Sequence, residues 1–534
     1  MQAYSCCYNF RHMQKGILGS PVHNTPSVPD HKGKVCSTET DRARFNQLQE
    51  QFREQFRDVF HDKMAPRSVV IIPSLTLDIE ILRKIRGHFF YEERLLCLLM
   101  LLRMPRTTIT YVTSVPIDPV ITDYYLHLLP GITSYHARQR LTLLSCFDAS
   151  AKSLTNKILE RPRLIQRIRD SVPHGAPAHI TCFNVTEQEQ ALAVQLGLPL
   201  YGASPELNFL GTKTGSRRIF KQCGIAVPEG VEDISSETEV IDALTWLKLQ
   251  QPRLHKAVIK LDDGFSGEGN AVFSYEGAPV NGLRNWIAHE LPLRMKIVAD
   301  HVTYPLFMKK LTGMHGIVEA FIDGPEKTSP SVQCRINPLG EIDVISTHDQ
   351  VLGGADEQVF LGATFPANPS YAAELGNIGH RVANALKAYG VLGRFGVDLM
   401  SVKENGVWQH YAIEINLRKG GTTHPYLMLQ FLTEGDYDAQ QGRYFMHDRK
   451  ERFYFATDNL QSDCYKGLTP HDLIDIAMCN DLHYNGTTEE GVVFHLISAL
   501  SQYGKLGLVC IGSSPERAKT YYDRVVEVLN KECA

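Results

Sequence analysis

The segment from residue 393 to residue 425 constrains the fold most, because it places two acidic residues inside apolar, β-rich sequence. The runs GRFGVDLMSV and VWQHYAIEIN are joined by the polar turn KENG, which predicts an antiparallel hairpin. Asp398 lies on the first strand, and Glu414 and Asn416 lie on the second. Because side chains alternate along a strand, residues 414 and 416 share a face, and a hairpin register brings Asp398 beside them. We therefore expect three oxygen donors to converge on one point.

The converging donors predict a cation site. Two buried carboxylates are unfavourable unless a cation neutralises them, and hard oxygen ligands with room for phosphates favour Mg²⁺. Arg418, two residues after Asn416, adds a planar cation beside this site. The alternative is a solvated hairpin whose acids face water. The apolar residues that flank both carboxylates, and the Arg and Gly-Gly turn that follow them, favour the cation site.

Length and charge limit the class of protein. The 534 residues predict roughly three or four domains, and a hydrophobic content of 43% supports substantial cores. The net charge is −4 without a dominant basic block, so neither a nucleic-acid partner nor an anionic membrane is implied. The longest apolar run, residues 95–102, is much shorter than the roughly 20 residues of a membrane span and predicts a buried helix. We expect a globular protein.

Cysteine usage and the N-terminus bear on the compartment. The twelve cysteines show neither CxxC pairs nor the Cys/His spacing of a zinc site, so we expect a reducing, cytoplasmic environment. The N-terminus has no apolar core behind a basic start and does not predict a secretory signal. Residues 1–40 are rich in Pro, Gly, Ser and His without periodicity, which predicts a flexible tail.

An α/β pattern follows the tail. Residues 40–62 place apolar side chains at helical spacing, which predicts an amphipathic helix. The runs SVVIIPS (68–74), TTITYVTS (107–114) and AHITCFN (178–184) predict three strands with helical patterns between them. Such alternation is typical of a parallel, doubly wound sheet, so we expect a Rossmann-like α/β domain over residues 41–205. A GxGxxG motif does not follow the first strand, and dinucleotide binding is therefore unsupported.

Residues 256–274 predict a strand, a glycine-rich loop and a returning strand. Gly264, Gly267 and Gly269 permit tight turns that aim backbone N–H groups at an anion, and Lys260 ends the first strand beside them. The loop lacks the P-loop sequence GxxxxGK followed by Ser or Thr, and a simple hairpin turn is the alternative. Downstream, HGIVEAFIDG (315–324) predicts a strand that offers backbone groups to an adenine edge; an ordinary core strand is the alternative.

The C-terminal part predicts a compact α+β unit from about residue 450 to residue 534. His471, His483 and His495 lack the spacing of metal ligands, which favours structural roles. His424, close to Arg418, has two interpretations: a residue that orients a substrate, or a structural residue of a turn.

Five features occur in one order: Lys213 in GTKTGSRRIF, Lys260 before the glycine loop, Glu319 in VEAFIDG, Asp398, and EINLR. Together they resemble the ATP-grasp ligases over residues 205–430. The flanking sequences PSLTLD, YEERLLCLLMLLRMPRT and LTNKILERPRLIQRIRD look like those of the pheganomycin-type peptide ligase family. The resemblance implies a flexible tail (1–40), a pre-ATP-grasp domain (41–205), an ATP-grasp domain (206–435) and a small α+β C-terminal domain (450–534).

The resemblance also implies roles for individual residues. The metal ligands are Asp398, Glu414 and Asn416, and the catalytic residues are Arg418 and Lys260. Arg418 would stabilise the transferred phosphate and the tetrahedral adduct. The ATP contacts comprise two phosphate-binding lysines, the glycine loop, the adenine hinge and a ribose ligand: Lys213, Lys260, Gly264, Ser266, Gly267, Gly269, Glu319, Ala320, Ile322 and Glu326.

One loop departs from the superfamily pattern. The sequence DDGFSGEG carries Asp262, Asp263 and Glu268 where many members have a run of glycines. We therefore expect these acidic side chains to point away from the phosphates or to bind a cation.

The implied activity is that of an ATP-dependent carboxylate–amine ligase, which forms an amide or peptide bond through an acyl phosphate and releases ADP and phosphate. The implied cofactors are ATP and Mg²⁺, with Mn²⁺ as the alternative ion, and the partners are a small-molecule acid and amine such as amino acids or peptides. Two alternatives stay open: a catalytically inactive ATP-binding regulatory or scaffold protein, and a phosphotransferase with a hydroxyl acceptor. The sequence identifies neither the substrates nor the oligomeric state.

Overall fold

The computed structural model describes residues 39–60, 62–77, 79–264, 269–299, 301–353 and 359–533. The predicted tail lies outside these ranges up to residue 38, as do Ser266, Gly267 and Glu268 of the glycine loop. Within the described ranges, we find no helix that is both long and apolar enough to cross a membrane.

The first sheet is parallel and has four strands, β1 (Arg67–Ile72), β2 (Thr107–Thr113), β3 (Leu141–Ser145) and β4 (Ala178–Cys182), in the order β3-β2-β1-β4. Val69 and Ile71 of β1 face one apolar layer, and Val70 and Ile72 face another, because side chains alternate along the strand. The predicted doubly wound α/β region is thereby confirmed. The surrounding helices are α1 (Glu39–Phe60), α2 (Ile79–Lys84), a 3-10 helix (His88–Arg103), α3 (Pro119–His127), α4 (Ser134–Arg138), α5 (Leu154–Leu159), α6 (Pro162–Ser171) and α7 (Glu187–Leu196).

The sequence prediction omitted β3 and is wrong on that strand. This strand lies at the edge of the sheet, and only Leu144 of its five residues is fully buried. The continuous apolar run typical of a central parallel strand is therefore missing. The predicted buried helix at residues 95–102 lies within the 3-10 helix, where all of these side chains except Leu101 are buried.

The second sheet is antiparallel and has the order β5-β9-β6-β7-β8. Its strands are β5 (Gly230–Ile234), β6 (Lys256–Leu261), β7 (Asn270–Ser274), β8 (Lys296–Ile297) and β9 (Gly316–Ala320). The glycine-rich loop connects β6 to β7, as the sequence predicts. The helices of this part are a 3-10 helix (Pro205–Gly211), α8 (Lys213–Gln222), α9 (Glu237–Gln250), α10 (Leu283–Arg294) and α11 (Tyr304–Met314).

The third sheet has nine strands and contains the predicted hairpin. Its strands are β10 (Lys327–Thr328), β11 (Pro330–Ile336), β12 (Ile342–Gly353), β13 (Val359–Phe365), β14 (Gly393–Glu404), β15 (Val407–Asn416), β18 (Phe453–Gln461), β19 (Gly491–His495) and β20 (Lys505–Gly512). Two short strands, β16 (Asp436–Asp438) and β17 (Arg443–Phe445), pair with each other in a separate sheet. The helices are α12 (Ala372–Ala388), α13 (Thr423–Thr433), a 3-10 helix (Asp463–Tyr465), α14 (Pro470–Cys479), α15 (Ser498–Tyr503) and α16 (Pro515–Glu532). Strands β14 and β15 form the hairpin, with Asp398 directly opposite Glu414.

The strands after residue 450 continue this sheet, although the sequence analysis treats the C-terminal part as a unit of its own. Strand β13 pairs with β18, so that Ala363 lies opposite Ala456 and Thr364 opposite Phe455. The sequence pattern hides this link, because residues 351–362 contain three glycines and resemble a loop. The predicted C-terminal α+β arrangement of strands and helices is present, but it shares its sheet with the hairpin.

Candidate active site at the hairpin

The three predicted metal ligands lie together at the end of the hairpin. Asp398 and Glu414 are cross-strand partners, and Asn416 Nδ2 donates a hydrogen bond to Asp398 Oδ2 at 2.8 Å. Gln350 of β12 donates to the other oxygen of Asp398 at 2.9 Å. Glu414 Oε1 lies 2.6 Å from the ammonium of Lys213. The hairpin and the two elements beside it therefore gather two carboxylates, two amides and one lysine at a single point.

The electrostatics of this point suit a divalent cation. Burial, followed by repulsion from Glu414, raises the pKa of Asp398 to about 6, against the opposing effects of Arg418, Asn416 and Lys213. A cation between the carboxylates would remove this penalty, because it favours the ionised form. Carboxylate and amide oxygens are ligands that Mg²⁺ accepts, so the donor set fits this ion.

Lys213 is held in place by the start of α8, where it is the first helical residue. The Thr212 hydroxyl accepts a hydrogen bond from Gly215 N at 3.0 Å and caps the helix. Asp262 Oδ1 accepts from Thr214 N at 2.8 Å. This contact gives a structural role to Asp262, one of the three acidic residues of the glycine loop. Its carboxylate binds the positive, N-terminal end of α8. Asp263 is exposed to solvent.

Lys260 belongs to a buried chain of charges. Its ammonium lies 2.6 Å from Glu319 Oε1, and Arg217 NH1 lies 2.8 Å from Glu319 Oε2. Arg217 also pairs with Glu232 at 2.7 Å. Each of these charges thus has an opposite partner, which makes their burial tolerable. Glu319 is predicted to lie near adenine; in the structure its carboxylate positions Lys260.

The glycine loop and the hinge lie on either side of Lys260. A Cβ added to Gly264 would lie 3.2 Å from the Cα of Gly269, so the two ends of the loop approach closely. The Ala320 N–H donates to the Glu229 carbonyl at 2.8 Å, so an adenine contact at Ala320 would have to use its carbonyl. A cavity of about 390 Å³ adjoins the hinge and is lined by Ala320, Phe321, Ile322 and Asp323 of the hinge and by Val402 and Tyr411 of the hairpin.

Glu326, the predicted ribose ligand, lies on an exposed loop. Its carboxylate is 3.2 Å from the ammonium of Lys403 on β14. The contact keeps Glu326 near the hairpin, and ribose binding by Glu326 stays a prediction.

The loop after β15 carries Arg418 and is anchored to the parallel sheet. Burial lowers the pKa of Arg418, and the negative charges of Glu414 and Asp398 oppose this effect. The guanidinium is therefore close enough to both carboxylates to interact with their charges. Lys419 Nζ donates to Thr181 Oγ1 at 3.0 Å and to the Cys182 carbonyl at 2.5 Å. The end of β4 thereby fixes the residue next to Arg418.

Sequence reasoning missed three residues of this site. Gln350 holds Asp398, Arg217 holds Glu319, and Lys419 anchors the Arg418 loop. Arg217 lies four residues after Lys213 in the segment GTKTGSRRIF, and Lys419 directly follows Arg418, so both lie close in sequence to predicted residues. The sequence around Arg217 and around Lys419 does not differ from that around a solvent-exposed arginine or lysine, so it does not mark either residue as part of the site.

Comparison with known proteins gives family matches over most of the chain after residue 204. The model described as IQCH-like, ATP-grasp matches residues 205–281 and 281–440, and the PGM1 C-terminal domain model matches residues 472–525. The chain is 29% identical over 442 residues to L-propargylglycine–L-glutamate ligase of Streptantibioticus cattleyicolor, covering 81% of this chain and 88% of that protein.

Two more distant similarities extend this result. Over 520 residues the chain is 22% identical to IQ motif-containing protein H of Danio rerio, covering 88% of this chain and 49% of that protein, so it spans about half of that relative. The biotin carboxylase domain of Hydrogenobacter thermophilus 2-oxoglutarate carboxylase is a similar solved structure, with a TM-score of 0.50 and 13% identity over 87% of this chain and 89% of that one. At this identity the structural likeness concerns the fold alone.

Proposed function

We propose that this chain is an ATP-grasp enzyme, namely an ATP-dependent ligase that joins a carboxylate to an amine; the ATP-grasp family match over residues 205–440 and the 29% identical ligase support this. The observation that carries this proposal is the cluster of Asp398, Glu414 and Asn416, with Lys213 bonded to Glu414 and Arg418 beside it. A protein that only binds ATP has no need of a cation at the position of Arg418. The combination supports phosphoryl transfer followed by amide formation.

The two lysines are assigned to the phosphates of ATP. Lys213 begins α8 and Lys260 lies on β6, and each is held by a carboxylate 2.6 Å away, Glu414 and Glu319 respectively. Mg²⁺, when held by Asp398, Glu414 and Asn416, supplies charge neutralisation for the transferring phosphoryl group. Engagement of Glu414 with the ion would weaken its hold on Lys213 and leave that ammonium to the phosphates.

Arg418 is assigned to the anionic centres of both chemical steps. In the first, a substrate carboxylate oxygen bonds to the γ-phosphorus of ATP and the bond to the bridging oxygen breaks, which releases ADP. In the second, the amine nitrogen bonds to the acyl carbon, phosphate leaves, and the amine proton passes to solvent. The planar guanidinium can pair with two oxygens of an anion in either step.

One relative supports a proposal for the substrate class. We assign amino acids or short peptides as the acid and amine, supported by 29% identity to a ligase named for L-propargylglycine and L-glutamate. Binding of Mn²⁺ in place of Mg²⁺, the cytoplasmic location and the domain boundaries stay predictions.

The test is ATP turnover with Mg²⁺ and pooled amino acids or dipeptides, with ADP, phosphate and new amide masses measured together. Glu414→Gln should abolish turnover, whereas Glu527→Gln on the exposed face of α16 should not change it. A phosphorylated product without an amide would identify a phosphotransferase. ATP binding without ADP formation from any pool would favour the catalytically inactive ATP-binding protein.

A further inference from the structure

A second cluster of metal-type ligands lies apart from the hairpin carboxylates. His424 is near the start of α13, Asp458 lies on β18, and His495 ends β19. All three are buried, with 2%, 7% and 3% of their surfaces exposed, respectively. The sequence analysis interpreted His495 as structural because it considered local spacing, and the three residues are separated by 34 and 37 positions.

The three ligand atoms form a closed triangle. His424 Nε2 lies 3.1 Å from Asp458 Oδ1, His495 Nε2 lies 2.6 Å from the same oxygen, and the two nitrogens are 2.9 Å apart. Arg94 NH1 lies 3.3 Å from the other oxygen, Oδ2, so an ion pair occupies that side of the carboxylate and Oδ1 faces the two histidines.

Hydrogen bonds alone do not satisfy this triangle. A ring nitrogen carries either a proton or a lone pair. If both nitrogens carry protons and donate to Oδ1, the two N–H groups meet at a separation of 2.9 Å. If only one carries a proton, the lone pair of the other faces the carboxylate oxygen. One side of the triangle is therefore repulsive with either assignment, whereas a cation attracts all three atoms.

The size of the triangle suits a first-row metal ion. The three distances define a circle with a radius of about 1.7 Å. An ion about 2.0 to 2.1 Å from each atom, the usual zinc distance to nitrogen and carboxylate oxygen, then lies about 1.2 Å above their plane. Two imidazoles and one carboxylate favour Zn²⁺ over Mg²⁺, which prefers oxygen ligands.

We propose that His424, Asp458 and His495 bind one Zn²⁺ ion, with a water molecule as the fourth ligand. The ion ties the start of α13, six residues after Arg418, to two strands of the C-terminal part. Two neighbours support the ligand positions: Arg94 holds Asp458, and Gly507 leaves room for the His495 ring, since a Cβ at this position would overlap it. The role assigned to the ion is to position the Arg418 loop against the C-terminal strands.

Metal analysis of the full chain, purified without a polyhistidine tag, tests the proposal. We expect about one zinc per chain by plasma mass spectrometry after dialysis, and almost none in Asp458→Asn. His348→Gln is the matched control, because His348 is equally buried and its Nε2 contacts the Tyr454 hydroxyl instead. Zinc retained in Asp458→Asn, or another metal at one equivalent, would overturn the assignment.

A second measurement needs no variant and therefore does not depend on the folding of one. Removal of the ion with 1,10-phenanthroline should lower the Tm of the wild-type chain, and added Zn²⁺, but not Mg²⁺, should restore it. A chain that holds no zinc and shows no rise in Tm on zinc addition would refute the proposal. ATP binding measured by calorimetry should survive zinc removal, which separates failure of this site from failure of the ligase assignment.

Discussion

The Asp398 carboxylate destabilises the folded chain when no cation is bound, and Asp398→Asn tests this. Burial and the neighbouring Glu414 raise its pKa from 3.8 to about 6. One pKa unit corresponds to about 1.4 kcal/mol, so the ionised carboxylate lowers the free energy of unfolding at pH 7 by at most about 3 kcal/mol. Asparagine removes the charge and keeps nearly the same shape.

The net gain is smaller, because an amide accepts fewer hydrogen bonds than a carboxylate. Gln350 and Asn416 donate to the two oxygens of Asp398, and asparagine has one acceptor oxygen. The lost hydrogen bond costs about 1 kcal/mol, and solvent near the site weakens the electrostatic part. We expect the variant to be more stable than the wild type by about 1 to 2 kcal/mol at pH 7 in the absence of metal.

The pH dependence of this gain has a defined sign. The pKa of Asp398 is higher in the folded chain than in the unfolded chain, so the folded wild type binds more protons between about pH 4 and pH 6. Its stability therefore falls as the pH rises through this window. The variant lacks this titration, and its advantage should be full at pH 7 and nearly absent at pH 4.

Urea unfolding in EDTA, followed by circular dichroism at several pH values, measures the effect. Asp475→Asn, at an exposed position of α14, controls for the general loss of an acidic residue. Equal stability of wild type and Asp398→Asn at pH 7, or an advantage that persists unchanged at pH 4, would refute the reasoning. The same variant should lose ligase turnover.

Three other predictions concern the same site and the residues that hold it. Protons compete with the cation for Asp398, so Mg²⁺ affinity measured by calorimetry should fall about tenfold between pH 7 and pH 5. Glu319→Gln removes the partner of Lys260; it should destabilise the chain by about 3 kcal/mol in urea unfolding and raise the KM for ATP. Lys419→Met detaches the Arg418 loop from Thr181; it should lower kcat more than ATP affinity and reduce stability by about 1 to 3 kcal/mol.

Matched variants separate these effects from general damage. Glu232→Gln removes the more exposed partner of Arg217 and should change the KM for ATP much less than Glu319→Gln. Lys450→Met, at an exposed turn, should leave kcat unchanged. Constant Mg²⁺ affinity from pH 7 to pH 5, or equal effects within either variant pair, would contradict the corresponding prediction.

The hairpin could be predicted from sequence because its information is local. Alternating apolar residues, the KENG turn and the acids at Asp398 and Glu414 fall within 24 residues, and the observed register pairs the two carboxylates. The fold class was predictable for a similar reason, since the strands and helices follow one another with clear periodicity. The sequence pattern did not predict strands that lie at the edge of a sheet or follow a glycine-containing segment, as β3 and β13 do.

Contacts between distant residues could not be predicted in this way. Glu319 meets Arg217 across 102 positions, and His424 meets His495 across 71. No pattern in one sequence specifies such pairs, because they depend on which strands become neighbours. The sequence therefore indicated the residues assigned to ATP more readily than the residues that hold them.

The pairing of β13 with β18 determines how the chain can be divided. A shortened protein that ends near residue 450 would keep the hairpin but lose the strand that covers one edge of β13. That edge would present unpaired N–H and C=O groups, which can join the same edge of a second molecule. Removal of the C-terminal part should therefore yield aggregates rather than a smaller enzyme, and exchange of this part between relatives should succeed only when β13 is exchanged with it.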